Sequence, residues 1–569
     1  MSLLRFAFSL FFVLGLLTFS SVQASQPGEK LRYLPVQDAG RIKPFDTFAR
    51  EVLELVYGQQ KFKFDREGES KKSIDAYVVV LTWMLTPDAW QDRPIFEVKN
   101  HQVKKFLGLD NEQKWFKGEQ LFGNEKFTLL RQELQEKRES KEKLTPYFQA
   151  LQRLENQFFI FREIASGRML NIWPPQPAKD SPESTPVTHW VPVAELPPEP
   201  QAKFIEISRN FAAWIGGQTN SSSDMGELAS KLDQSVEEFM ALAQAHNPAE
   251  YAAGSKIPTE VNYNLVHPFR WSYISYLLAV VFFLMAWIAK KPLWSRLGWI
   301  FVSLGFVIHT LGFLVRIYLS GRAPVTNMYE TVVWVAWGAV IFAFILERMY
   351  RFGFLMFVGS LLAMISLVIA DTAPAVLDPS LQPLEAVLRS NYWLTVHVMT
   401  IVISYAAFLL ALGLGNMSLV YYLKGEVQHR QKIKDLTLAI YRSIQIGVVF
   451  LAPGIILGGI WADYSWGRFW GWDPKETWAL IALLGYLAVL HARIAGLLRE
   501  FGMAATAIIS FSLVVMAWYG VNFVLGAGLH SYGFGAGGLE YVGSVIGLQF
   551  LFVLYVYVFR RNSRPVAHS

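Results

Sequence analysis

The highest density of chemically distinctive residues in this 569-residue chain lies between Trp461 and Trp478, in the stretch WADYSWGRFWGWDPKETW. Its eighteen residues include five of the nineteen tryptophans, together with Tyr464 and Phe469. At the chain-wide aromatic share of 15%, about three aromatic residues would be expected there instead of seven. Apolar runs flank the stretch on both sides, so we expect a loop at one membrane surface, which we call the tryptophan loop.

Two interpretations of the tryptophan loop are open. The first is an aromatic belt, in which indole rings settle at the depth of the lipid headgroups. The second is a platform for a large planar ligand with apolar faces and a charged edge, and haem is such a ligand. A belt needs neither the glycines and proline that shape this backbone nor the Asp-Pro-Lys-Glu run inside it. These features favour the platform, with Arg468 and Lys475 as candidate partners of carboxylates on the ligand.

Two histidines lie on either side of this loop in the sequence. His397 is near the start of the fifth apolar run, and His530 follows the end of the eighth. Taken singly, each is more simply explained as an interfacial polar residue. Taken together, on one membrane face and on both sides of an aromatic loop, they predict axial ligation of a haem iron by imidazole.

His491 and His309 fall inside predicted membrane helices, where an ionisable side chain is costly and therefore a functional candidate. At 1.5 Å per residue, His491 lies about 21 Å from the outer boundary and His309 about 18 Å from the inner one. In a hydrocarbon core of about 30 Å these depths differ by roughly 9 Å, so the two are not an obvious ligand pair. A hydrogen bond between helices is the alternative explanation of His309.

The composition indicates two unlike parts. The chain is 53% hydrophobic and 17% charged, with a mean hydropathy of +0.27, too apolar for a soluble multidomain protein and too charged for a transporter core alone. Lys and Arg exceed Asp and Glu by 52 − 46 = 6 residues, which fits the loops of a membrane protein and does not indicate nucleic-acid binding. The absence of cysteine excludes disulfides and thiolate metal sites, so any thiol chemistry uses the thiols of a partner.

The first part of the chain is expected outside the membrane. Residues 1–24 have the pattern of a secretory signal peptide, and an uncleaved anchor is the alternative. Residues 25–268 contain no apolar run of spanning length and predict a mostly helical extracytoplasmic domain with a proline-rich linker near 173–200. The segment Leu34–Glu51 is distinctive there, but its pattern alone indicates no physical mechanism.

The second part, residues 269–569, predicts an all-α polytopic membrane domain. Nine apolar helices are expected near 272–289, 297–318, 330–347, 352–370, 394–423, 440–460, 477–498, 502–525 and 541–559. If the chain starts outside, nine crossings leave the C-terminus in the cytoplasm. Candidate inner loops hold fifteen Lys and Arg residues and outer loops four, as the positive-inside rule requires. We therefore expect a bacterial cytoplasmic membrane protein whose N-terminal domain and tryptophan loop face the periplasm.

The tryptophan loop resembles the signature, known as the WWD motif, of haem-handling membrane proteins of cytochrome c maturation. The version WDPKETW is more similar to the CcsA (ResC) branch of system II than to the CcmC or CcmF proteins of system I. The sequences around Ser320–Pro324, His397, His491 and Gly520–His530 resemble that branch too. Arg322 departs from it, since a histidine is expected there, and Leu34–Glu51 resembles the extracytoplasmic region of fused synthases.

The resemblance implies a haem-binding site and its residues. The ligand, which is also the substrate, would be haem b, with axial iron ligation by His397 and His530. His491 would be one ligand of a second haem site within the membrane, whose other ligand belongs to a ResB/CcsB-like subunit. The catalytic cradle around the outer haem would consist of Trp466, Trp470, Trp472 and Asp473.

The resemblance also implies a function, the maturation of cytochrome c. A synthase (haem lyase) subunit would present haem for thioether attachment to the CxxCH cysteines of apocytochrome c, with thiol reductant proteins keeping those cysteines reduced. We expect activity only together with the ResB/CcsB-like subunit. Two alternatives are a haem exporter or carrier without ligation activity, and a membrane anchor whose aromatic residues form only a belt.

Overall fold

The computed structural model describes residues 28–64, 72–140, 144–177, 189–217, 222–252, 254–373, 376–383, 391–526 and 538–562. The chain forms two compact units that divide between Val266 and His267. The expected signal segment, residues 1–24, lies outside the described residues.

The first unit is mostly helical and contains four short antiparallel strand pairs. Its strands are β1 Pro35–Asp38, β2 Arg41–Pro44, β3 Lys61–Phe64, β4 Lys72–Asp75, β5 Phe96–Glu97, β6 Trp115–Phe116, β7 Asn171–Trp173 and β8 Val191–Pro192. Its helices are α1 Phe45–Tyr57, α2 Ala76–Leu85, α3 Asp88–Gln91, α4 His101–Leu107, α5 Gly118–Phe122, α6 Glu125–Glu139, α7 Pro146–Ala165, α8 Pro198–Gly216, α9 Ser222–His246, α10 Pro248–Ala252 and α11 Ile257–Val266.

One hydrophobic core holds this unit together, and it contains residues from Leu31 to Ala243. Trp83 of α2 is fully buried and packs edge-on against Phe161 of α7, with 5.3 Å between the ring centres. β7 pairs with β8, so the described ends of the proline-rich segment both belong to this unit. A core of its own makes the unit suitable for separate production and folding.

Buried ion pairs explain the distinctive sequence of the segment Leu34–Glu51. β1 and β2 form a hairpin whose two turn residues, Ala39 and Gly40, both have positive φ, as a type I′ turn requires. The ammonium of Lys43 is 1% exposed and lies 2.7 Å from Asp38 and 2.5 Å from Glu51. Charged residues of this segment are thus paired inside the domain, where an unpaired charge would be very costly.

The same segment also pairs with Arg32, a charged residue that precedes it in the chain. The buried carboxylate of Asp46 accepts hydrogen bonds of 2.7 Å from both Arg32 and Arg50. Arg32 also contacts Asp75 at 2.6 Å; burial opposes ionisation of this carboxyl, but Arg32 and Lys61 outweigh that effect and hold the pKa of Asp75 below its usual value.

Glu260 fixes α11 to the same segment. Its carboxylate accepts hydrogen bonds from the Arg41 guanidinium at 2.8 and 2.9 Å and from the Thr47 hydroxyl at 2.8 Å. Asn264, one turn further along α11, donates to the Thr47 hydroxyl. The segment therefore holds the last helix of the unit in place.

The second unit is a bundle of apolar helices. They are α12 Pro268–Ala289, α13 Pro292–Ser320, α14 Met328–Tyr350, α15 Leu355–Thr372, α16 Asn391–Leu423, α17 Arg430–Trp466, α18 Pro474–Ile494, α19 Glu500–Val515, a π-helical segment Met516–Leu525 that continues α19, and α20 Leu539–Asn562. Within the described part of the chain, nine helices are long and apolar enough to cross a membrane. The predicted all-α polytopic fold is confirmed.

Close packing of α16 against α17 depends on glycine. An added Cβ at Gly454 would lie 3.0 Å from the Cα of Ile401, and one at Gly458 would lie 2.6 Å from the ring of His397. Small residues on a membrane helix let a neighbouring backbone approach closely. Pro453, inside α17, has no N–H to donate, so one backbone hydrogen bond of the helix is missing beside this contact.

We expect Asp46→Asn to lower the free energy of unfolding of the first unit by about 3–5 kcal/mol, because it leaves two buried guanidinium groups without their shared carboxylate. Urea unfolding of residues 25–266, followed by tryptophan fluorescence, measures this loss. The matched control is Glu238→Gln, which breaks the solvent-exposed pair with Lys203 and should leave the midpoint nearly unchanged. A loss for Asp46→Asn no larger than that of the control would contradict the ion-pair account.

Candidate functional site

The tryptophan loop is shorter than the sequence suggested. α17 continues through Trp461 to Trp466 and ends at Gly467, which adopts the left-handed conformation with φ +71°. The next helix, α18, begins at Pro474, so only residues 467–473 form the loop. The prediction of a loop from Trp461 to Trp478 was therefore wrong at both ends, because the left-handed glycine and the Asp-Pro pair set the helix boundaries.

His397 lies two turns into α16 and is held against α17. Its Nδ1 is 2.8 Å from the carbonyl oxygen of Gly454, and a carbonyl can only accept, so Nδ1 carries the proton in this contact. In the neutral ring the lone pair is then on Nε2, the nitrogen that a metal would use. Histidines that bind metals commonly donate their other N–H to a carbonyl in this way.

Trp461 and Trp466 continue the aromatic surface from His397. The Trp461 indole is 1% exposed and lies parallel to the imidazole, at 6.2 Å between ring centres with 8° between planes. Trp466 contacts Trp461 edge-on at 4.6 Å. A headgroup belt would not bury its tryptophan, so Trp461 acts here as a packed wall beside the histidine. The nearby Ser465 hydroxyl is buried and has no hydrogen-bond partner among the described residues.

The loop folds back towards the same place. The Phe469 ring lies over Gly459, where an added Cβ would come within 2.6 Å of it, while the His397 ring lies over the adjacent Gly458. Trp470 is half-buried and meets Trp472 edge-on at 5.8 Å. Trp472 is 69% exposed and has φ +56°, an unfavourable conformation for a bulky side chain. Strain of this kind persists where surrounding contacts enforce it, commonly at ligand sites.

Asp473 and Glu476 give the loop its shape. Asp473 is 5% exposed and caps α18, accepting the Lys475 backbone N–H at 2.9 Å. Glu476 accepts the backbone N–H groups of Gly471 at 2.8 Å and of Asp473 at 3.2 Å. The spacing Asp473 to Glu476 is a capping box, a pattern visible in the sequence, so the role of Glu476 was missed although its signal was present.

The two cations of the loop have different partners. Arg468 lies 3.4 Å from the Glu476 carboxylate and over the Trp466 ring. The Lys475 ammonium donates to Oδ1 of Asn522, on the π-helical segment, at 2.9 Å. The sequence predicts that both bind carboxylates of a ligand, and this stays a prediction.

The remaining predicted ligands differ in location. His530 lies outside the described residues. His491 is in the last turn of α18, which ends at Ile494, and its side chain is exposed on the surface of the bundle. Its Nδ1 is 2.7 Å from the Leu487 carbonyl of the same helix, so the proton again lies on Nδ1. His491 is seventeen residues after Pro474, about 26 Å along the helix, so it belongs to a location separate from the tryptophan loop.

His309 is enclosed by aromatic side chains. It is fully buried in α13, with Nδ1 3.3 Å from the hydroxyl of Tyr276 on α12. Phe313 stacks on its ring at 5.2 Å, and Phe269 meets it edge-on at 5.5 Å. This arrangement agrees with the alternative of a hydrogen bond between helices.

Arg322, which departs from the expected histidine, belongs to a buried ionic cluster. Glu330 of α14 is 1% exposed and contacts Arg316 at 2.9 Å and Arg322 at 3.4 Å. The two guanidinium groups also donate to the carbonyls of Ser380 and Gln382. The cluster thus ties the α13–α14 connection to residues 376–383.

Known proteins match this chain in two different ways. The family described as cytochrome C assembly protein matches residues 325–530. The cytochrome c biogenesis protein CcsA of Prochlorococcus marinus strain MIT 9301 is 36% identical over 250 residues, which cover 39% of this chain and 79% of that protein. CcsA of Chlamydomonas reinhardtii is 37% identical over 231 residues, 39% of this chain and 64% of that protein.

A longer relative covers most of the chain. Protein NrfI of Wolinella succinogenes is 27% identical over 520 residues, which are 87% of this chain and 53% of NrfI. The chain therefore spans about half the length of NrfI. Because the CcsA matches cover 39% of the chain and the NrfI match 87%, the NrfI match extends the similarity well beyond the part shared with CcsA.

We expect Gly458→Ala to displace the His397 ring, since the new methyl group would lie 2.6 Å from Cε1, closer than two carbon atoms can approach. The Nδ1 contact with Gly454 should break, and copurifying haem should fall several-fold with an altered absorption spectrum. The matched control is Gly547→Ala in α20, where an added Cβ meets nothing within 4 Å. Haem content and spectrum equal to those of the control would show that His397 does not contribute to binding.

Proposed function

The chain belongs to the CcsA-type family of cytochrome c biogenesis proteins, and on this premise we propose that it binds haem at the tryptophan loop and presents it to apocytochrome c. A role in cytochrome c maturation comes with the family. The haem, its attachment to the cytochrome and the partners described below are our proposals. The substrate is haem b, and the site faces the periplasm while the C-terminus lies in the cytoplasm.

The observation that carries this proposal is the state of His397. Its proton is fixed on Nδ1 by the Gly454 carbonyl, and its ring lies parallel to the buried Trp461 at the tryptophan loop. An imidazole prepared as an iron ligand, beside flat apolar rings, suits a porphyrin. His397 and His530 would ligate the iron axially, and Trp466, Trp470, Trp472 and Asp473 would form the cradle, in which Asp473 acts through the loop geometry.

The proposed reaction needs orientation more than acid or base chemistry. Each cysteine thiol of CxxCH adds across one haem vinyl group, so that a C–S bond forms and the thiol hydrogen ends on the vinyl carbon. No group is oxidised overall, provided that the cysteines arrive reduced, which is the task of thiol reductant proteins. Holding the vinyl groups at a fixed position relative to the incoming peptide supplies the rate advantage of proximity.

We further propose that a ResB/CcsB-like membrane subunit covers the exposed side of α18. His491 lies on a face with Ile481, Leu484 and Ala488, which are exposed in the chain by itself. An imidazole on an apolar membrane surface is costly unless a ligand or partner engages it. With a histidine of the partner, His491 would ligate haem on its way to the tryptophan loop.

For the outer site, we expect His397→Ala to reduce the maturation of a reporter cytochrome c at least about tenfold, as loss of a metal-site group commonly does. Added imidazole should restore part of the activity by occupying the vacant axial position, and His530→Ala should behave in the same way. The measurement is covalent haem on the reporter, together with the absorption spectrum of the purified protein. An unchanged spectrum in the double variant would refute axial ligation, and haem export without covalent attachment would favour the carrier function.

For the second site, we expect His491→Ala to lower the haem content of the tryptophan loop without lowering the amount of inserted protein. Leu548→Ala, at an exposed position of α20, is the control and should retain haem. Maturation should also require co-expression with a ResB/CcsB-like protein. Full activity of this chain alone, in cells that contain no such protein, would contradict the two-subunit proposal.

A further inference from the structure

The two cations of the tryptophan loop differ in the charge of their partners. Arg468 has the carboxylate of Glu476 at 3.4 Å. For Lys475, no carboxylate in the described part of the chain lies within ion-pair distance, and its hydrogen bond goes to the neutral carboxamide of Asn522. The nearby carboxylate of Asp473 accepts the Lys475 backbone N–H at its Oδ1. Of these two cations, Lys475 is thus the one without an ion-pair contact in the described part of the chain.

The location of Lys475 makes this charge expensive. Lys475 is the second residue of α18, and the N-terminus of a helix is the positive end of its dipole, where an anion is favoured and a cation is not. Its side chain is also half-buried, so water solvates the ammonium incompletely. A local conflict of this kind in an otherwise consistent structure is typical of a binding site.

Asn522 holds the ammonium in a defined position. An ammonium can only donate, so Oδ1 of Asn522 faces it and the amide N–H groups lie on the other branch of the carboxamide. Asn522 belongs to the π-helical segment Met516–Leu525, and such segments are rare and frequent at functional sites. Trp518 of the same segment donates to the Thr331 hydroxyl of α14 at 2.9 Å, which fixes the segment to the bundle.

We propose that Lys475 and Asn522 form a carboxylate-binding site, with Lys475 binding a propionate of the haem substrate and Asn522 positioning the ammonium. The inference rests on the proposed function, because it names the part of the substrate that the site contacts. A carboxylate supplies the negative charge that Lys475 lacks, and the helix N-terminus favours the same charge. Arg468 is excluded from this role by its pairing with Glu476, which leaves its charge already neutralised.

The test compares haem with its dimethyl ester, which has the same ring and iron but no carboxylate. The full chain is purified in nanodiscs of phosphatidylcholine, and the Kd of each porphyrin is measured by absorbance titration. We expect Lys475→Met to weaken haem binding at least about tenfold and to leave binding of the ester unchanged. Equal weakening for both porphyrins would mean that Lys475 has only a structural role, and the proposal would fail.

Asn522→Asp gives a sharper distinction, because it keeps the shape of the side chain and supplies Lys475 with an internal carboxylate. If the site binds a propionate, the new carboxylate competes, so haem binding weakens while ester binding does not. If the contact is only a link between α18 and the π-helical segment, the substitution strengthens it and haem binding is unaltered, which would overturn the proposal. Arg468→Gln, the control, should affect haem and ester alike through the loop.

A lipid phosphate is the other source of an anion, and a second set of nanodiscs tests it. With phosphatidylglycerol added, the difference between wild type and Lys475→Met in haem binding should persist. The opposite result would be that wild type and Lys475→Met bind haem equally in phosphatidylcholine, and that the variant differs only by binding less phosphatidylglycerol. That result would assign the site to the lipid headgroup and overturn the proposal. Failure of the wild-type chain to bind either porphyrin would instead refute the proposed function.

Discussion

The carboxylate of Glu476 is the contact on which the shape of the tryptophan loop depends. One oxygen accepts the backbone N–H groups of Gly471 and Asp473, and the other faces Arg468. Without this acceptor, the N–H groups of Gly471 and Asp473, in the loop that leads into α18, would lose these hydrogen bonds. The negative charge also lies at the favourable end of the helix dipole. The strained backbone of Trp472 lies between the two residues that Glu476 holds, so the same contact maintains it.

A second set of contacts fixes the helices next to the tryptophan loop. The Glu330 carboxylate joins Arg316 and Arg322 in a buried cluster, and a buried triad of this kind is destabilised severely by loss of one member. Thr331, the next residue, accepts the hydrogen bond from Trp518, and the π-helical segment of Trp518 carries Asn522. A continuous series of contacts thus runs from the ionic cluster through α14 and the π-helical segment to Lys475. The loop is consequently anchored from two directions.

Hydropathy was sufficient to predict the membrane helices, because every span must be long and apolar whatever its neighbours are. Helix ends were less predictable. Apolar windows placed the end of the sixth helix at residue 460, but tryptophan is compatible with a helix, and the actual end at Trp466 is set by the left-handed Gly467. The capping box from Asp473 to Glu476 was readable in the sequence, whereas the contact between Lys475 and Asn522 joins residues 47 positions apart and was not.

The segment Leu34–Glu51 shows the same limit of prediction from sequence. The pair Asp46 and Arg50 has helical spacing and is a local signal, but Arg41 pairs with Glu260 across 219 residues. The high density of charged residues in Leu34–Glu51 is visible in the sequence. Burial of paired charges explains this density, but only once the partners are known. Long-range pairing is set by the tertiary fold, which local pattern does not contain.

The two histidines within membrane helices show how burial changes the meaning of one sequence signal. The cost of an ionisable side chain in a membrane marks both as functional candidates. For His309, the free-energy cost of a buried ionisable side chain is reduced within the chain, because a tyrosine hydroxyl and aromatic rings enclose the imidazole. Among the described residues, the hydrogen-bond partner of His491 is a carbonyl of its own helix, and its side chain lies on the exposed face. Of the two, His491 is therefore the residue for which we propose a partner subunit.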